Sequence, residues 1–408
     1  MARIVLTGGR VFDGTGAGFV TADVALEGSS IAAVGPGLDG DVEVAVDGAT
    51  VLPGLIDAHV HVCLGTIDVM KNLNQPFSYQ FYVAEQNLKK TLDLGITTVR
   101  DASGADLGIQ RAVEDGLIDG PALHISIIAL SQTGGHGDHW LPSGNCPEVL
   151  SVHPGRPSGI VDGPDEVRRR VRQLLRNGAN VIKVNTSGGV FSPRDDPRHA
   201  HFTMAELEVM TEEAARAGSY VMAHAHGVDG IKNAVRAGVR SVEHGTQLDD
   251  EAIELMLARG TWLVPTLGVG QFIVDMIERG AAVPAGIAEK AQANIAMRED
   301  SFRRAVAAGV RVAMGSDSAG ESHGNNLIEL PLMHEMGLDG LAVLHAATGS
   351  AATLMGVADR IGFIRAGHQA DLTIVDGDPL DFRAYPGNVR HVYRRGARVR
   401  GERSRNAR

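Results

Sequence analysis

Short apolar runs broken by glycine and aspartate open the chain: Ile4-Val5-Leu6, Asp23-Val24-Ala25-Leu26, Ile31-Ala32-Ala33-Val34 and Val42-Glu43-Val44-Ala45-Val46. Runs of this length with turn residues between them predict antiparallel strands. The texture returns in Ile361-Gly362-Phe363, Asp371-Leu372-Thr373-Ile374-Val375 and His391-Val392-Tyr393. Two half-sheets at opposite ends of a chain imply one small β-sandwich domain, residues 1–53 and 358–400, split by an insertion.

Within the insertion, apolar segments of strand length alternate with helical patterns, as βα units require. The expected strands are 55–59, 97–100, 122–126, 181–183, 220–223, 241–243, 262–264 and 310–313. Helical periodicity covers 83–94, 166–177, 204–217, 230–237, 251–259, 287–308 and 341–355. Gly178, Gly218, Gly238, Gly260 and Gly309 each stand where a helix must stop before the next strand, the position of a glycine C-cap. The repeat predicts an α/β fold, a (β/α)8 TIM barrel over residues 54–357, with its chemistry at the C-terminal strand ends. Residues 130–164 carry little periodicity and much Gly, Pro, Ser and His, too long for an ordinary loop and expected to cover the active site. A basic, unpatterned tail, 401–408, is expected to be a solvated terminus.

Composition narrows the function. With 408 residues, 44% of them hydrophobic, the chain accommodates a barrel of about 250 residues plus a satellite domain. The 51 glycines against 4% aromatic residues favour tight strand-to-helix turns. A formal net charge of −11 argues against nucleic acid, whose phosphates need a basic surface, and leaves a small-molecule substrate. Cys63 and Cys146 are expected to be free, buried or half-buried thiols. The first apolar run ends at Gly8-Gly9, too early for a signal peptide, and no segment is apolar enough to span a bilayer. The reading is a cytoplasmic protein without membrane contact.

Lys183 lies in the apolar run Val181-Ile182-Lys183-Val184. A cation at the end of a buried strand is costly unless paired or neutralised. Reaction of its amine with carbon dioxide would turn that liability into an anionic oxygen ligand able to bridge two metal ions. In His59-Val60-His61 alternate strand residues point the same way, aiming two imidazoles at one ion. His224 and His244 each end a short apolar strand before glycine. His226 falls on the inward side and is expected to contact substrate or support a ligand, while Glu243 alternates outward toward a helix. Asp317, among small neighbours after the eighth strand, is placed to accept a proton from water and pass it to a leaving nitrogen. His139, His199 and His201 are expected at the surface.

These residues resemble the metal-dependent amidohydrolase superfamily, in its binuclear branch with a carbamylated lysine. The segments Gln132-Thr133-Gly134-Gly135-His136-Gly137-Asp138, Ser187-Gly188-Gly189 after Lys183, His224-Ala225-His226-Gly227 and Glu243-His244-Gly245 resemble its prolidase-like, imidazolonepropionase-related group. That group includes Xaa-Pro and Xaa-Arg/Lys dipeptidases and ochratoxin-hydrolysing amidases. The resemblance implies two divalent ions, zinc being expected: His59 and His61 on the first, His224 and His244 on the second, carboxylated Lys183 bridging. Asp317 would ligate the first ion and shuttle protons. It further implies that His136 hydrogen-bonds the scissile carbonyl or the substrate carboxylate. His226 stands where some relatives have a tyrosine that holds that carboxylate.

The expected reaction is amide hydrolysis of dipeptides or N-acyl amino acids with a free carboxylate, by attack of a metal-bridging hydroxide. A cyclic amide, lactone or imidazolonepropionase-type hydrolase is the alternative. A deaminase would lack the bridging lysine, and a non-catalytic scaffold would show decayed ligands. The resemblance also implies a homo-oligomer, with octamers among the relatives.

Overall fold

The computed structural model describes residues 2–66, 68–190, 195–278 and 287–400. The tail 401–408 lies outside them. Chain ends and centre contribute to different sheets. One four-stranded sheet runs Ser30–Gly35, Asp23–Glu27, Arg3–Thr7, Val42–Ala45. A six-stranded sheet runs Ala397–Arg400, Val389–Arg394, Leu372–Asp376, Ala49–Pro53, Arg10–Phe12, Phe19–Thr21. Leu372–Asp376 pairs antiparallel with Ala49–Pro53, Thr373 opposite Leu52, so the two ends of the chain meet in one sheet. Both sheets feed one apolar cluster that includes Leu6, Val24, Leu26, Val51, Leu372, Ile374 and Tyr393.

Two expectations change here. Arg3–Thr7 pairs parallel with Val42–Ala45, and Arg10–Phe12 parallel with Ala49–Pro53, so the sheets are mixed and not wholly antiparallel. Residues 361–363 form no strand. Gly362 sits at φ +84°, outside the extended region, and a β-carbon there would lie 2.5 Å from Ala352 Cβ.

The central segment supplies parallel strands at Leu55–His61, Ile96–Asp101, Ala122–Ile125, Ile182–Asn185, Val221–Ala225, Ser241–His244 and Trp262–Val264. Most are buried on both faces, as strands under a helical layer must be. The helix Met204–Arg216 begins with a capping box in which Thr203 and Glu206 satisfy each other's backbone N–H groups. Gly238 and Gly260 cap their helices in the left-handed conformation, at φ +93° and +65°.

Among the described residues the ladders form two arcs and not one closed ring. After Ala122–Ile125 the backbone turns at Ile127, φ +71°, and a separate pair, Ala129–Leu130, binds the Lys183 strand. The expected eighth strand, 310–313, contributes only a bridge from Val312 to Leu263. The chain then leaves β geometry at Gly315, whose β-carbon would lie 2.4 Å from Val264 Cγ1. It rejoins the first strand through Ser318–Ala319 opposite Val60 and His61. The helix expected over 341–355 is two, Gly340–Ala346 and Gly349–Met355. They part at Thr348, φ −137° and ψ −99°, where a β-carbon on Gly349 would lie 2.4 Å from the Gly14 carbonyl oxygen. Among the described residues no helix is long and apolar enough to cross a membrane.

Candidate metal centre

The first strand ends with His59 and His61 turned toward Asp317. His59 Nε2 lies 3.3 Å and His61 Nε2 3.2 Å from the same oxygen, Asp317 Oδ1. On each ring the other nitrogen is tethered: His59 Nδ1 to Glu243 Oε2 at 2.7 Å, His61 Nδ1 to the Ser103 carbonyl at 3.2 Å. Those partners only accept, so each Nδ1 carries the hydrogen and each Nε2 presents a lone pair. His224 uses the opposite atom, Nε2, to donate to the Gly188 carbonyl at 3.2 Å, which leaves the lone pair on Nδ1. His244 Nδ1 meets Thr266 Oγ1 at 2.7 Å. An outer hydrogen-bond partner on each ring, a fixed acceptor for His59, His61 and His224, is the arrangement that metal-ligating histidines adopt.

The four rings converge. Centroids are 5.4 Å apart for His59 and His61, 5.2 Å for His59 and His244, and 4.6 Å for His224 and His244. Two groups of ligand atoms, each within 4.8 Å, share His244: one with His59 and Asp317, one with His224 and His226. Lys183 is 3% exposed, and among the described residues its amine makes no hydrogen bond to protein. Its charge acts on His59, His61, His224, His244 and Asp317.

The electrostatics suit cation binding. Burial, and then the Lys183 charge, push His59 down to about 4, so the imidazole is neutral near pH 7. Burial also drives His224 and His244 well below the ordinary histidine range, helped by neighbouring imidazoles. His61 moves the other way: burial lowers it, but the pull of the Asp317 carboxylate on the protonated ring outweighs burial. Burial raises the Asp317 carboxyl, but His59, His61 and Lys183 outweigh it and hold the group well below the usual carboxylate range. Burial lowers Lys183 to about 8. A divalent ion fits this set on two counts: among the described residues buried His59 Nε2 has no hydrogen-bond partner, and the buried Lys183 amine has no counter-ion within bonding distance.

Local backbone strain gathers here. His244, Thr266 and Asp317 adopt φ of +70°, +49° and +56°, three of the six described non-glycine residues with positive φ. Asp317 is held by its own N–H to the His59 carbonyl at 2.7 Å. Gly315 opens the approach, since a β-carbon there would lie 3.0 Å from His59 Cβ. Arg298 Nη1 donates to the Thr266 carbonyl at 2.7 Å, anchoring the residue that steadies His244.

His136 lies over this cluster, its ring stacked on His224 at 4.4 Å and 12°, with Nδ1 3.4 Å from Asp195 Oδ2. The loop after residue 130 thus reaches the strand ends. His226 is 3% exposed, bonded through Nδ1 to Thr246 Oγ1 at 2.7 Å and stacked on His244 at 4.9 Å. It is part of the imidazole cluster and does not stand apart from it.

Three side chains differ from expectation. Glu243 does not face an outer helix: it is fully buried against His59 and Arg100. Strand alternation fails because His244 leaves the extended region, so consecutive side chains both reach the interior. His201 is 5% exposed, its loop tied down by its own N–H to the Thr186 carbonyl, while His199 is exposed and His139 half-buried. Cys63 is buried, but Cys146 is exposed, its thiol 3.1 Å from Asp138 Oδ1. Arg100, Asp195, Thr246 and Thr266 were not singled out from sequence. Only Arg100 had a usable signal there, a cation inside a strand that needs a buried carboxylate partner.

Known proteins share this arrangement of chain. An ochratoxinase from Aspergillus niger is 36% identical over 373 residues, covering 86% of this chain and 75% of that protein. The crystal structure of a prolidase complexed with N-methylphosphonate-L-proline superposes with a TM-score of 0.91 at 34% identity, covering 98% of this chain and 100% of the other. That of a Xaa-Pro dipeptidase with methionine bound in its active site gives 0.88 at 30%, with 98% and 100% covered. The sequence pattern of the amidohydrolase family matches residues 50–399, and its TIM-barrel α/β fold accounts for the parallel arcs described above. The chain therefore belongs to the amidohydrolase family and is a hydrolase of amide bonds.

Proposed function

We propose that this protein is a binuclear metal-dependent amidohydrolase that cleaves dipeptides or N-acyl amino acids bearing a free carboxylate. The observation that carries the reading is the convergence of His59 Nε2 and His61 Nε2 on one Asp317 oxygen, beside His224, His244 and a buried, unpartnered Lys183 amine. His59, His61 and Asp317 would hold one ion, and His224 and His244 the other. Zinc is the expected metal, and when bound it supplies Lewis acidity toward the amide carbonyl and lowers the pKa of water.

The chain's own residues do the remainder. Lys183, with an amine at about 8, carries a substantial neutral fraction in ordinary buffers. Its nitrogen attacks carbon dioxide, an N–C bond forms, one proton leaves to solvent, and the product is a carbamate anion. That anion replaces a buried ammonium by a ligand of opposite charge, which removes the desolvation problem of an unpaired cation. Asp317, ionised at neutral pH, takes a proton from the attacking water and returns it to the departing nitrogen. His136, projecting over the imidazole cluster, donates toward the carbonyl oxygen or the substrate carboxylate. The two terminal sheets are read as a sandwich, 1–53 and 358–400, supporting the catalytic unit 54–357.

The substrate class rests on the chemistry of the relatives' ligands: N-methylphosphonate-L-proline and methionine both present an amino-acid carboxylate. A panel of dipeptides and N-acyl amino acids with varied C-terminal residues, assayed for the liberated amine, tests it. Free amino acid should appear, and the C-terminally amidated counterparts should turn over far more slowly. Release of ammonia, or equal turnover of the amidated compounds, contradicts the reading.

A further inference from the structure

Glu243 and Arg100 are both fully buried, and together they form a closed hydrogen-bonded unit that reaches the site through one atom. Arg100 Nη2 donates to both Glu243 oxygens at 3.0 Å, Nη1 donates to Ser241 Oγ at 3.2 Å, and Nε donates to the Ala58 carbonyl at 2.6 Å. Ser241 also donates to Glu243 Oε1. The remaining contact of Glu243 Oε2 is His59 Nδ1, at 2.7 Å. The guanidinium therefore grips the peptide next to His59 as well as the carboxylate that His59 donates to.

A buried ion pair is weak evidence of stabilisation, since desolvation of both charges offsets their attraction. Here the carboxylate is satisfied on every side, and among the described residues its one ionisable hydrogen-bond partner besides Arg100 is the imidazole that presents Nε2 to Asp317, while Lys183 acts on it only through its charge. A carboxylate accepting from one ring nitrogen makes the other more electron-rich, so its residual charge sets the strength of the ligand. Arg100 withdraws part of that charge. Removing either partner then changes the imidazole in opposite directions.

We propose that Glu243 and Arg100 act as positioning residues that set how tightly His59 holds its ion, Glu243 strengthening the His59 lone pair and Arg100 restraining it. This rests on the metal reading above.

The test is chelator competition with zinc on the metal-free full-length protein, together with thermal unfolding of the same preparations. Glu243→Gln keeps an acceptor but removes the charge, and should weaken one of two bound zinc ions by about ten- to a hundredfold. Arg100→Gln should hold that ion at least as tightly as the unaltered protein, although both variants unfold at lower temperature. The double variant, which leaves no unpaired buried charge, should bind like Glu243→Gln and covers the case of a single variant that does not fold. Equal weakening in all three, tracking the loss of thermal stability, would show a merely structural pair and overturn the proposal, as would affinities that do not change. Failure of the unaltered protein to bind zinc would instead sink the metal reading, and this inference with it.

Discussion

Gly189→Ala is a one-methyl change whose consequence can be worked from distances. Gly189 follows the Lys183 strand, and its N–H is fixed to Asp195 Oδ2 at 2.8 Å. A β-carbon at this position would lie 2.0 Å from His136 Cε1, 2.2 Å from Nδ1 and 2.7 Å from Nε2. Contacts that short are impossible, and with its backbone held the residue that yields is His136, whose side chain is 24% exposed and has room to swing outward. The 4.4 Å stack on His224 and the 3.4 Å approach to Asp195 are then lost. A partly exposed ring stack contributes about 0.5–1.5 kcal/mol, so folding should suffer little. Catalysis should suffer more: loss of one donor aimed at developing charge typically costs on the order of 10²–10³ in kcat, roughly 3–4 kcal/mol. The assay is kcat and KM for Gly189→Ala, His136→Ala and the double variant on the best amide found in the panel, with metal content measured in parallel. The two single variants should lose activity to a similar extent, the double no more than either, and metal content should stay unchanged. Wild-type kcat/KM in Gly189→Ala, or losses that multiply in the double variant, would refute the reasoning.

Lys183→Ala should lose most activity and part of its metal, with partial recovery when short carboxylic acids are added, read by turnover and elemental analysis; full activity with two ions would remove the bridge. Asp317→Asn should keep the far-ultraviolet circular dichroism of the parent while kcat falls by about 10²–10⁴, and unaltered kinetics would place the proton relay elsewhere. Carboxylation of Lys183 needs the neutral amine, and burial lowers this lysine to about 8. At fixed dissolved carbon dioxide, reactivation of decarboxylated, metal-free protein should therefore accelerate as pH rises toward 8 and level off above it. An ordinary lysine near 10.5 would be only about 0.3% neutral at pH 8, and a rate still climbing tenfold per unit between pH 8 and 10 would contradict the depressed value.

Four of the side chains expected to hold metal share one mark in the sequence. His59, Lys183, His224 and His244 are each a polar side chain within a short apolar run, and in the structure all four lie on buried parallel strands, His244 as the last residue of its strand before Gly245. Glu243 was not readable, since two-residue alternation presumes extended backbone and His244 departs from it at φ +70°. The eighth strand was overread for a related reason: Val310 to Ala313 is apolar enough for a strand, but the close approaches needed at Gly315 leave one bridge of ladder. Parallel pairing in the terminal sheets depends on which distant strand comes to lie alongside, and no local pattern encodes it. Asp195 reaches His136 across 59 positions of chain, and His201 is buried by the loop folding on Thr186, so both are products of tertiary packing.

The most direct test is a crystal structure of the metal-replete protein with anomalous data collected at the zinc edge. Two anomalous peaks should appear among His59, His61, His224, His244 and Asp317, with three extra atoms of density on Lys183 Nζ lying between them. A bare Lys183 amine together with a single peak, or none, would contradict the account.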